Sequence, residues 1–465
     1  MFNRVNTDDL ERFTRILGAR GVLAAGAALA DYARDEMTEY GVFPPEAVLL
    51  PEAAEQVTDT LAYCHSRHIS VTPRGAGTGL CGGCVAVAGG VVLSLERMNR
   101  LLELDEADMT VRVQPGLLLM DLNQRLVGTG LFYPPDPGEK SATLGGNVVT
   151  NAGGMRAVRY GVTRDYVLGV KLALADGRLL ELGGKVAKNA SGYSLLDLVI
   201  GSEGTLGVVC EALLKLIPEP AVNLSLLCPF ESLERCIEAV PVALASGAEL
   251  TAVEFMERAV LDASEAYLGR RFPDASAPAY LLIRLDGPSR EMLEPSVARL
   301  VDLLPELGAT DVLLADTDER KASIWDARGA FLEAIKASTS SIDECDVVVP
   351  KADIADFIRR AMEAGVSIGV RVCSFGHAGD GNLHIYACRD DLPASEWARR
   401  RRAVMDVMYD AARSVKGQVS GEHGIGHAKA DYLAQSLGPD QIELMRGIKR
   451  AFDPMGILNP GKVFR

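Results

Sequence analysis

Three glycine-rich loops in the first half of the chain constrain its fold more than any other feature. They are PRGAGTGLCGG (residues 73–83), PPDPGEKSATLGGNVVTNAGG (134–154) and IGSEGTLGVV (200–209). Residues without a Cβ allow successive backbone N–H groups to converge on an anion and allow a ligand to approach the backbone closely. Three such loops beside β-like runs are hard to explain as turns alone. They indicate a binding site for a large, flat, phosphate-bearing cofactor.

Gly77-x-Gly79-x-x-Gly82, in the first loop, matches the dinucleotide-binding fingerprint, but its context does not. A Rossmann unit needs a helix directly after the glycines, because the helix N-terminus holds the pyrophosphate. The residues that follow, CVAVAGGVVLSL, are β-branched and interrupted by glycine. We therefore expect no Rossmann unit, and we expect Arg74 at the lip of an anion-binding nest that needs no helix.

The length of 465 residues predicts more than one domain. Residues 1–218 alternate β-like runs with glycine clusters, and residues 219–415 alternate helices with strands. The tail, 416–465, again holds dense glycine and histidine motifs. The pattern predicts an α+β fold, with the functional residues where the first part and the tail meet.

Charge and hydropathy exclude two classes of partner. A net charge of −15 repels phosphate backbones, so nucleic acid is not expected. No run approaches the roughly 20 apolar residues of a membrane span. The start, MFNRVNTDDLERF, lacks a signal-peptide core, so we expect a cytoplasmic protein that meets a membrane only through a partner. The nine cysteines are then interpreted as reduced thiols, and Cys81-x-x-Cys84 as a structural pair, with a redox disulfide as the alternative.

Four of the six histidines lie in two glycine-rich motifs, SFGHAGDGNLHIY (374–386) and SGEHGIGHAK (420–429). The turn-rich segment between His377 and His384 can fold two strand ends beside each other, which would bring both imidazoles to one point. Together with Glu422 they offer two neutral nitrogens and one carboxylate, a donor set that leaves positions open on a divalent cation. A hydrogen-bonded pair of core histidines explains the spacing equally well.

His423 directly follows Glu422, so the two side chains point in different directions if the segment is extended. Histidine has the pKa range to take a proton from an alcohol that a metal has made more acidic, which makes His423 the candidate base. His65 and His68 are interpreted as surface residues at a helix end, and His427 as structural.

The motifs carry a resemblance to a known family. PRGAGTGLCGG, SATLGGNVVTNAGG, YGVTRDYVLGVKLALADGRLLE and IGSEGTLG resemble the FAD-binding half of the vanillyl-alcohol-oxidase-type flavoproteins. Within that family, nearly the whole chain is most similar to the FAD-linked 2-hydroxy-acid dehydrogenases, a group that includes glycolate oxidase FAD subunits and D-lactate dehydrogenases. The resemblance implies an α+β fold with a split, PCMH-type FAD-binding domain of two α+β subdomains (1–218). It also implies an α+β cap domain that binds substrate (219–415). A C-terminal segment (416–465) would then return to the first domain and complete the FAD site and the active site.

The resemblance also implies which residues bind the cofactors. FAD is expected to be noncovalent, because positions 74–84 contain no histidine to tether it. In relatives the HxGDGNxH and GEHG motifs hold a divalent metal, which implies His377, His384 and Glu422 as ligands of zinc, with manganese, iron or cobalt as alternatives. Arg328, in IWDARGAF, matches an arginine that relatives use against the substrate carboxylate. The residues expected to contact FAD are Pro73, Arg74, Gly75, Ala76, Gly77, Thr78, Gly79, Ser141, Thr143, Gly145, Gly146, Asn147, Asn151, Glu203, Gly207, Val209 and Asn459.

The function implied is oxidation of a small D-2-hydroxy acid to the 2-oxo acid, with His423 as base and FAD as hydride acceptor. Relatives that use D-2-hydroxyglutarate carry an asparagine and a lysine where this chain has Tyr386 and Glu344, so D-lactate or glycolate is expected. Electrons would pass to a separate iron–sulfur subunit or electron-transfer flavoprotein, and a homodimer is an open option. Two other functions stay open: a non-redox flavoenzyme like alkyl-dihydroxyacetone-phosphate synthase, and a metal-dependent hydrolase without flavin.

Overall fold

The computed structural model describes residues 1–464, apart from the side chains of Ala27 and Thr38. The helices are α1 (Thr7–Leu17), α2 (Ala54–Arg67), α3 (Leu119–Leu126), α4 (Leu144–Thr150), α5 (Ala157–Tyr160), α6 (Leu195–Val199), α7 (Leu233–Ala245), α8 (Arg258–Leu268), α9 (Arg290–Glu306), α10 (Asp318–Gly329), α11 (Phe331–Ala337), α12 (Ile354–Ile368), α13 (Ala394–Ser414), α14 (Ala430–Leu437) and α15 (Pro439–Phe452). The strands are β1 (Val22–Leu23), β2 (Ala47–Leu49), β3 (Val71–Arg74), β4 (Val91–Ser94), β5 (Leu101–Asp105), β6 (Thr110–Val113), β7 (Leu131–Phe132), β8 (Val167–Ala173), β9 (Leu179–Gly183), β10 (Val208–Lys215), β11 (Ile217–Pro218), β12 (Val222–Phe230), β13 (Leu250–Glu257), β14 (Ala279–Gly287), β15 (Leu313–Ala315), β16 (Ile342–Val348), β17 (Arg371–His377) and β18 (Asn382–Cys388).

The chain forms two compact units. The first contains residues 1–153, 162–219 and the stretch that starts at 422, and the second contains 154–161 and 220–421. Sequence analysis places residues 154–161 in the first domain and 416–421 in the tail, whereas both segments belong to the second unit. None of the helices within residues 1–464 is both long enough and apolar enough to cross a membrane.

The first unit holds two main sheets around one core. The strands β2, β4 and β3 run parallel, with β1 antiparallel at the edge, and the second sheet has the antiparallel order β5-β6-β10-β8-β9. Helix α2 buries Val57, Leu61 and Cys64 in a core that also takes Val71 from one sheet and Val208 from the other. The helical spacing of these three α2 residues in the sequence therefore marks the face that packs on both sheets.

One local expectation for the first unit is confirmed. The chain between Gly82 and β4 contains no helix in the part that the structure describes, so the glycine fingerprint does not open a Rossmann unit. Strands β8 and β9 pair as an antiparallel hairpin around Asp176 and Gly177, and Gly177 has φ +87°, a conformation that favours glycine.

The C-terminal segment returns to the first unit, as the resemblance implies. Leu458 forms a parallel bridge with Val71 of β3. Asn459 Nδ2 donates hydrogen bonds to the carbonyl oxygens of Gly83 at 2.8 Å and Glu203 at 2.7 Å. The end of the chain therefore joins the first and third glycine-rich loops.

The second unit is built on a seven-stranded antiparallel sheet of order β15-β12-β14-β13-β17-β18-β16. Strands β17 and β18 form a hairpin whose turn includes Gly381, with φ +87°. Helices α10 and α11 are separated by a break at Ala330. Gly329 accounts for the break, because glycine is a weak helix former.

Glu257, at the end of β13, makes the stability of the second unit depend on pH. It accepts a hydrogen bond from Ser374 of β17, and removal of the carboxylate from water raises its pKa from 4.5 to about 7. Because the folded state holds this proton more tightly, the stabilisation is complete below pH 4.5 and is lost as pH rises through about 7.

We expect Glu257→Gln to raise the free energy of unfolding by about 2 kcal/mol at pH 8 and to leave it nearly unchanged at pH 5. The amide resembles the protonated acid and carries no charge to desolvate. Urea unfolding at both pH values would measure the difference, with the exposed Glu306→Gln as the matched control. Equal effects at the two pH values would contradict a raised Glu257 pKa.

Candidate active site

The first glycine-rich loop leaves β3 in the first unit and packs against the second loop. A Cβ added to Gly75 would lie 2.2 Å from Thr143 Oγ1, so only glycine allows this contact. Gly77 has φ +82°, and a Cβ there would lie 2.1 Å from Arg74 Nη2. The glycines are therefore required by the packing of the loop as well as by any ligand.

Arg74 supports the first loop from inside the protein. Its Nη1 donates to the carbonyl oxygen of Arg34 at 2.9 Å and contacts Cys84 Sγ at 3.1 Å, and its Nη2 donates to the carbonyl oxygen of Asp31 at 3.1 Å. The side chain is buried. Its role in binding the cofactor stays a prediction, and the contacts seen here are structural.

Cys81 and Cys84 are thiols that contact different groups. Cys81 Sγ donates to the carbonyl oxygen of Gly424 at 3.2 Å, whereas Cys84 lies beside Arg74. Burial raises the pKa of Cys84, which keeps the thiol protonated. These contacts agree with the structural interpretation of the pair.

The second loop leads into α4 and contains a buried donor. Thr143 is the N-cap of α4 and accepts a hydrogen bond from the Gly146 amide at 3.2 Å, and Gly145 packs on Pro115. The Asn147 side chain is 4% exposed, and its Nδ2 donates to no atom of residues 1–464. An unsatisfied buried donor is destabilising by roughly 1–3 kcal/mol, and a ligand oxygen would relieve this. The loop therefore fits the flavin cofactor that the sequence motifs imply.

The third loop holds the tail of the chain through Glu203. Its two carboxylate oxygens accept hydrogen bonds from the amides of Ile425 and Gly426, both at 2.7 Å. Burial raises the pKa of Glu203, and the two amides oppose that effect. Sequence analysis expects Glu203 among the cofactor contacts, whereas its carboxylate binds the protein backbone. Farther along this loop, Gly207 packs on Leu172 of β8.

The tail segment that carries Glu422 and His423 is fixed by close contacts within the first unit. Gly426 has φ +53°, and a Cβ there would lie only 1.9 Å from the carbonyl oxygen of Cys81. The ring of His427 packs edge-on against Phe43, with 5.2 Å between centroids. This packing agrees with the structural interpretation of His427. Glu422 Oε1 lies 3.4 Å from His423 Nε2.

In the second unit, the β17–β18 hairpin brings His377 and His384 together. The register pairs His377 with Asn382 and Phe375 with His384, so both imidazoles lie on the same face of the sheet. Their ring centroids are 5.2 Å apart, the rings are perpendicular, and the residues are 5% and 3% exposed. The expectation that the intervening turn brings the two imidazoles together is confirmed.

Glu254 of β13 joins His377 to Arg328. His377 Nδ1 lies 2.8 Å from Glu254 Oε1, and Arg328 donates from Nε and Nη2 to Glu254 Oε2 at 2.9 and 2.6 Å. Burial alone would raise the pKa of Glu254, but its interactions with His377 and Arg328 outweigh that effect and hold the pKa below its usual range. Arg328 also lies over the ring of Phe375, 4.6 Å from its centroid. It is therefore a buried residue and not a helix-surface arginine.

Asp346 of β16 binds Ser420 and Gly421, the last two residues of the second unit before Glu422. Its Oδ1 accepts from Asn382 Nδ2 at 2.7 Å. Its Oδ2 accepts from Ser420 Oγ at 2.6 Å and from the Gly421 amide at 3.1 Å. The buried carboxylate of Asp346 therefore fixes the backbone of Gly421, the residue directly before Glu422.

Tyr386 and Glu344 form a second buried pair on the same hairpin region. Tyr386 Oη donates to Glu344 Oε1 at 2.5 Å, and His384 Nδ1 lies 3.5 Å from that oxygen. Burial, and then the Glu344 charge, raise the pKa of Tyr386. These are the two positions at which the resemblance implies a departure from relatives that use a diacid.

Sequence reasoning missed Glu254 and Asp346 as parts of the site. Both stand in apolar strand segments, TAVEFME (251–257) and CDVVV (345–349). Acidic side chains are almost never fully buried unless they are paired, so an acid beside apolar residues within a strand is the signal that could have found them.

Known protein families that match this chain bind FAD, in agreement with the fold and with the glycine-rich loops. The family described as "FAD binding domain" matches residues 45–183, and the family "FAD linked oxidases, C-terminal domain" matches residues 219–463. The chain is 47% identical over 467 residues to a D-lactate dehydrogenase of Anaerostipes hadrus, covering 99% of this chain and 98% of that protein. It is 36% identical to the glycolate oxidase subunit GlcD of Bacillus subtilis, covering 99% and 97%.

Solved structures show the same fold at low identity. A p-cresol methylhydroxylase with substrate bound superposes with a TM-score of 0.81 and 18% identity, covering 99% of this chain and 97% of that one. An alkyldihydroxyacetonephosphate synthase gives a TM-score of 0.75 and 18% identity, covering 99% and 86%. These structures establish the split α+β FAD-binding fold, and the sequence matches establish the family. The chain belongs to the FAD-linked oxidases, a family of oxidoreductases with an FAD-binding domain.

Proposed function

We propose that this protein oxidises a small D-2-hydroxy acid, D-lactate or glycolate, to the 2-oxo acid. The observation that carries the proposal is the buried pair of imidazoles, one of which shares a carboxylate with the buried guanidinium of Arg328. A cation site beside a fixed arginine suits a substrate that has a hydroxyl next to a carboxylate. The 47% identity to a D-lactate dehydrogenase supports the same substrate class.

His377, His384 and Glu422 are proposed to hold a divalent cation, with zinc suited to the two nitrogens and one oxygen. The hairpin fixes both imidazoles, and Asp346 fixes Gly421, the residue before Glu422. When bound, the cation would supply Lewis acidity toward the substrate hydroxyl and FAD would accept a hydride.

Arg328 is proposed to bind the substrate carboxylate. A guanidinium has five N–H donors, and the bonds to Glu254 use one on Nε and one on Nη2. The planar fork is suited to a carboxylate, and the ring of Phe375 beneath it fixes its plane. The side chain therefore offers orientation as well as charge.

His423 is proposed as the base. Oxidation of the alcohol removes the hydroxyl proton and the hydrogen on the same carbon, the latter with its electron pair. His423 would take the hydroxyl proton, and FAD, when bound, would accept the hydride, so that the carbon and oxygen would form a carbonyl. Reduced FAD would then pass its electrons to a separate acceptor.

The Tyr386–Glu344 pair is proposed to restrict the substrate to monocarboxylates. Tyr386 and Glu344 are both buried and are joined by a hydrogen bond. A second carboxylate of the substrate near this pair would lie close to the acidic side chain of Glu344. Like charges in a buried site repel strongly. The D-2-hydroxyglutarate anion should therefore bind much more weakly than D-lactate or glycolate.

Anaerobic bleaching of the flavin band by a panel of 2-hydroxy acids tests this function. We expect D-lactate or glycolate to bleach the band at least about tenfold faster than D-2-hydroxyglutarate, and we expect chelator treatment to slow bleaching and added zinc to restore it. A clear preference for the five-carbon diacid would reverse the substrate assignment. Purified protein that is colourless, and stays so after FAD is added, would refute the redox function.

A further inference from the structure

Glu254 is a buried carboxylate at the centre of the second unit, and its residue is 0% exposed. A buried charge is strongly destabilising unless it is paired and hydrogen-bonded. Glu254 has two such partners, Arg328 and His377, and both are residues of the proposed site. Its position on β13, directly opposite His377 of β17 in the sheet register, fixes the contact through the backbone.

We infer that Glu254 is a positioning residue for both the metal-binding imidazole and the substrate-binding guanidinium, an inference that rests on the proposed function. A carboxylate accepts hydrogen bonds and cannot donate them, so His377 Nδ1 is the protonated nitrogen of the neutral ring. The lone pair of that ring then lies on Nε2, at the opposite edge, where it can bind a cation. Glu254 thus selects the tautomer of His377 that is able to bind metal.

The same carboxylate sets the plane and position of Arg328. Both Arg328 donors reach Oε2, and His377 Nδ1 lies 2.9 Å from that oxygen as well as 2.8 Å from Oε1. A shift of the carboxylate therefore moves the imidazole and the guanidinium together. The arginine is also held by Phe375 below its plane and by α10, whose Ala327 carbonyl accepts from Ser264 Oγ at 3.0 Å. Cation binding and substrate-carboxylate binding should consequently depend on one side chain.

The tautomer can be observed in the wild-type protein with FAD bound and metal removed by chelator. In protein labelled with ¹⁵N-histidine, we expect His377 to show a protonated Nδ1 and an unprotonated Nε2, with its signals assigned by their loss in His377→Gln. The opposite tautomer would overturn the inference. Because this measurement needs no change at Glu254, it stands even if a Glu254 variant fails to fold.

Replacement of Glu254 with glutamine tests the positioning of both partners. Zinc titration of chelator-treated, FAD-loaded protein by calorimetry should show a zinc Kd that is about 10- to 100-fold higher than in wild type. The KM for D-lactate should rise with it, and the flavin-to-protein absorbance ratio should stay unchanged. Glu306→Gln, an exposed change of the same kind in α9, should leave both constants as they are.

The outcomes separate this inference from the proposed function. If wild type and Glu254→Gln bind zinc equally well and have the same KM, the positioning role is wrong while the metal-assisted oxidation stands. If the wild-type protein binds no zinc, the proposed metal site fails and the role of Glu254 fails with it. A weaker zinc affinity and a raised KM in the same variant support the shared role.

Discussion

Replacing His384 with alanine is expected to lower kcat for D-lactate or glycolate by at least about 100-fold while FAD stays bound. Loss of residues that merely support a metal ligand typically reduces affinity or activity 10- to 100-fold, so loss of the ligand itself should do at least as much. The glycine-rich loops belong to the first unit and His384 to the second, which is why the flavin should be retained. Steady-state kinetics measure kcat, metal analysis measures the bound metal, and the flavin-to-protein absorbance ratio measures the bound FAD.

Two variants control this experiment. His384→Cys keeps a side chain that can bind zinc, so it should regain part of the bound metal and of the activity that alanine loses. His65→Ala removes a histidine from α2 of the first unit and should leave the rate unchanged. Full turnover by the His384→Ala protein would show that the imidazole pair serves packing alone.

A single added methyl group at Gly426 is expected to have the largest effect on the first unit. In Gly426→Ala the new Cβ would lie 1.9 Å from the Cys81 carbonyl oxygen, at a residue with φ +53°. The segment must move, and it then loses the hydrogen bond from the Gly426 amide to Glu203. We expect the free energy of unfolding to fall by about 4 kcal/mol or more and kcat to fall at least about 100-fold, because Glu422 and His423 lie in the same segment.

Gly447→Ala is the matched control for this change. Gly447 lies in α15, and the nearest atom to an added Cβ there is Arg450 Nη2 at 3.9 Å. Alanine is a better helix former than glycine, so this variant should be neutral or more stable by up to about 1 kcal/mol. Urea unfolding and steady-state kinetics compare the two proteins. A Gly426→Ala protein that matches the control in both would show that the tail segment tolerates displacement.

Local patterns in the sequence predicted the turn between His377 and His384, the glycine-rich loops and the absence of a Rossmann helix. The β17–β18 hairpin is the clearest case, because Asp380 and Gly381 form a turn between two apolar strands and so bring His377 and His384 together. The metal and substrate roles of these residues came from the family resemblance. The His384→Ala and Glu254→Gln variants test whether these residues bind metal and substrate in this chain.

The carboxylates that organise the site could not be predicted in the same way. Glu254 is 74 positions from Arg328 and 123 positions from His377 in the sequence. Which strands are neighbours in a seven-stranded sheet depends on the packing of the whole unit, and no local spacing encodes it. The same reason explains Glu203, whose glycine-rich surroundings suggested a ligand contact although its partners are backbone amides more than 200 residues away.

The discontinuous first unit sets the order in which the protein can fold during translation. The bridge from Leu458 to β3 and the amides that bind Glu203 come from residues beyond 422, so they are made only after the whole of the second unit. The second unit needs only residues up to 421 and can be complete while the first still lacks these partners. Until those residues emerge, a nascent chain exposes the unfinished parallel sheet, so the risk of aggregation and the need for chaperones should be higher in this interval.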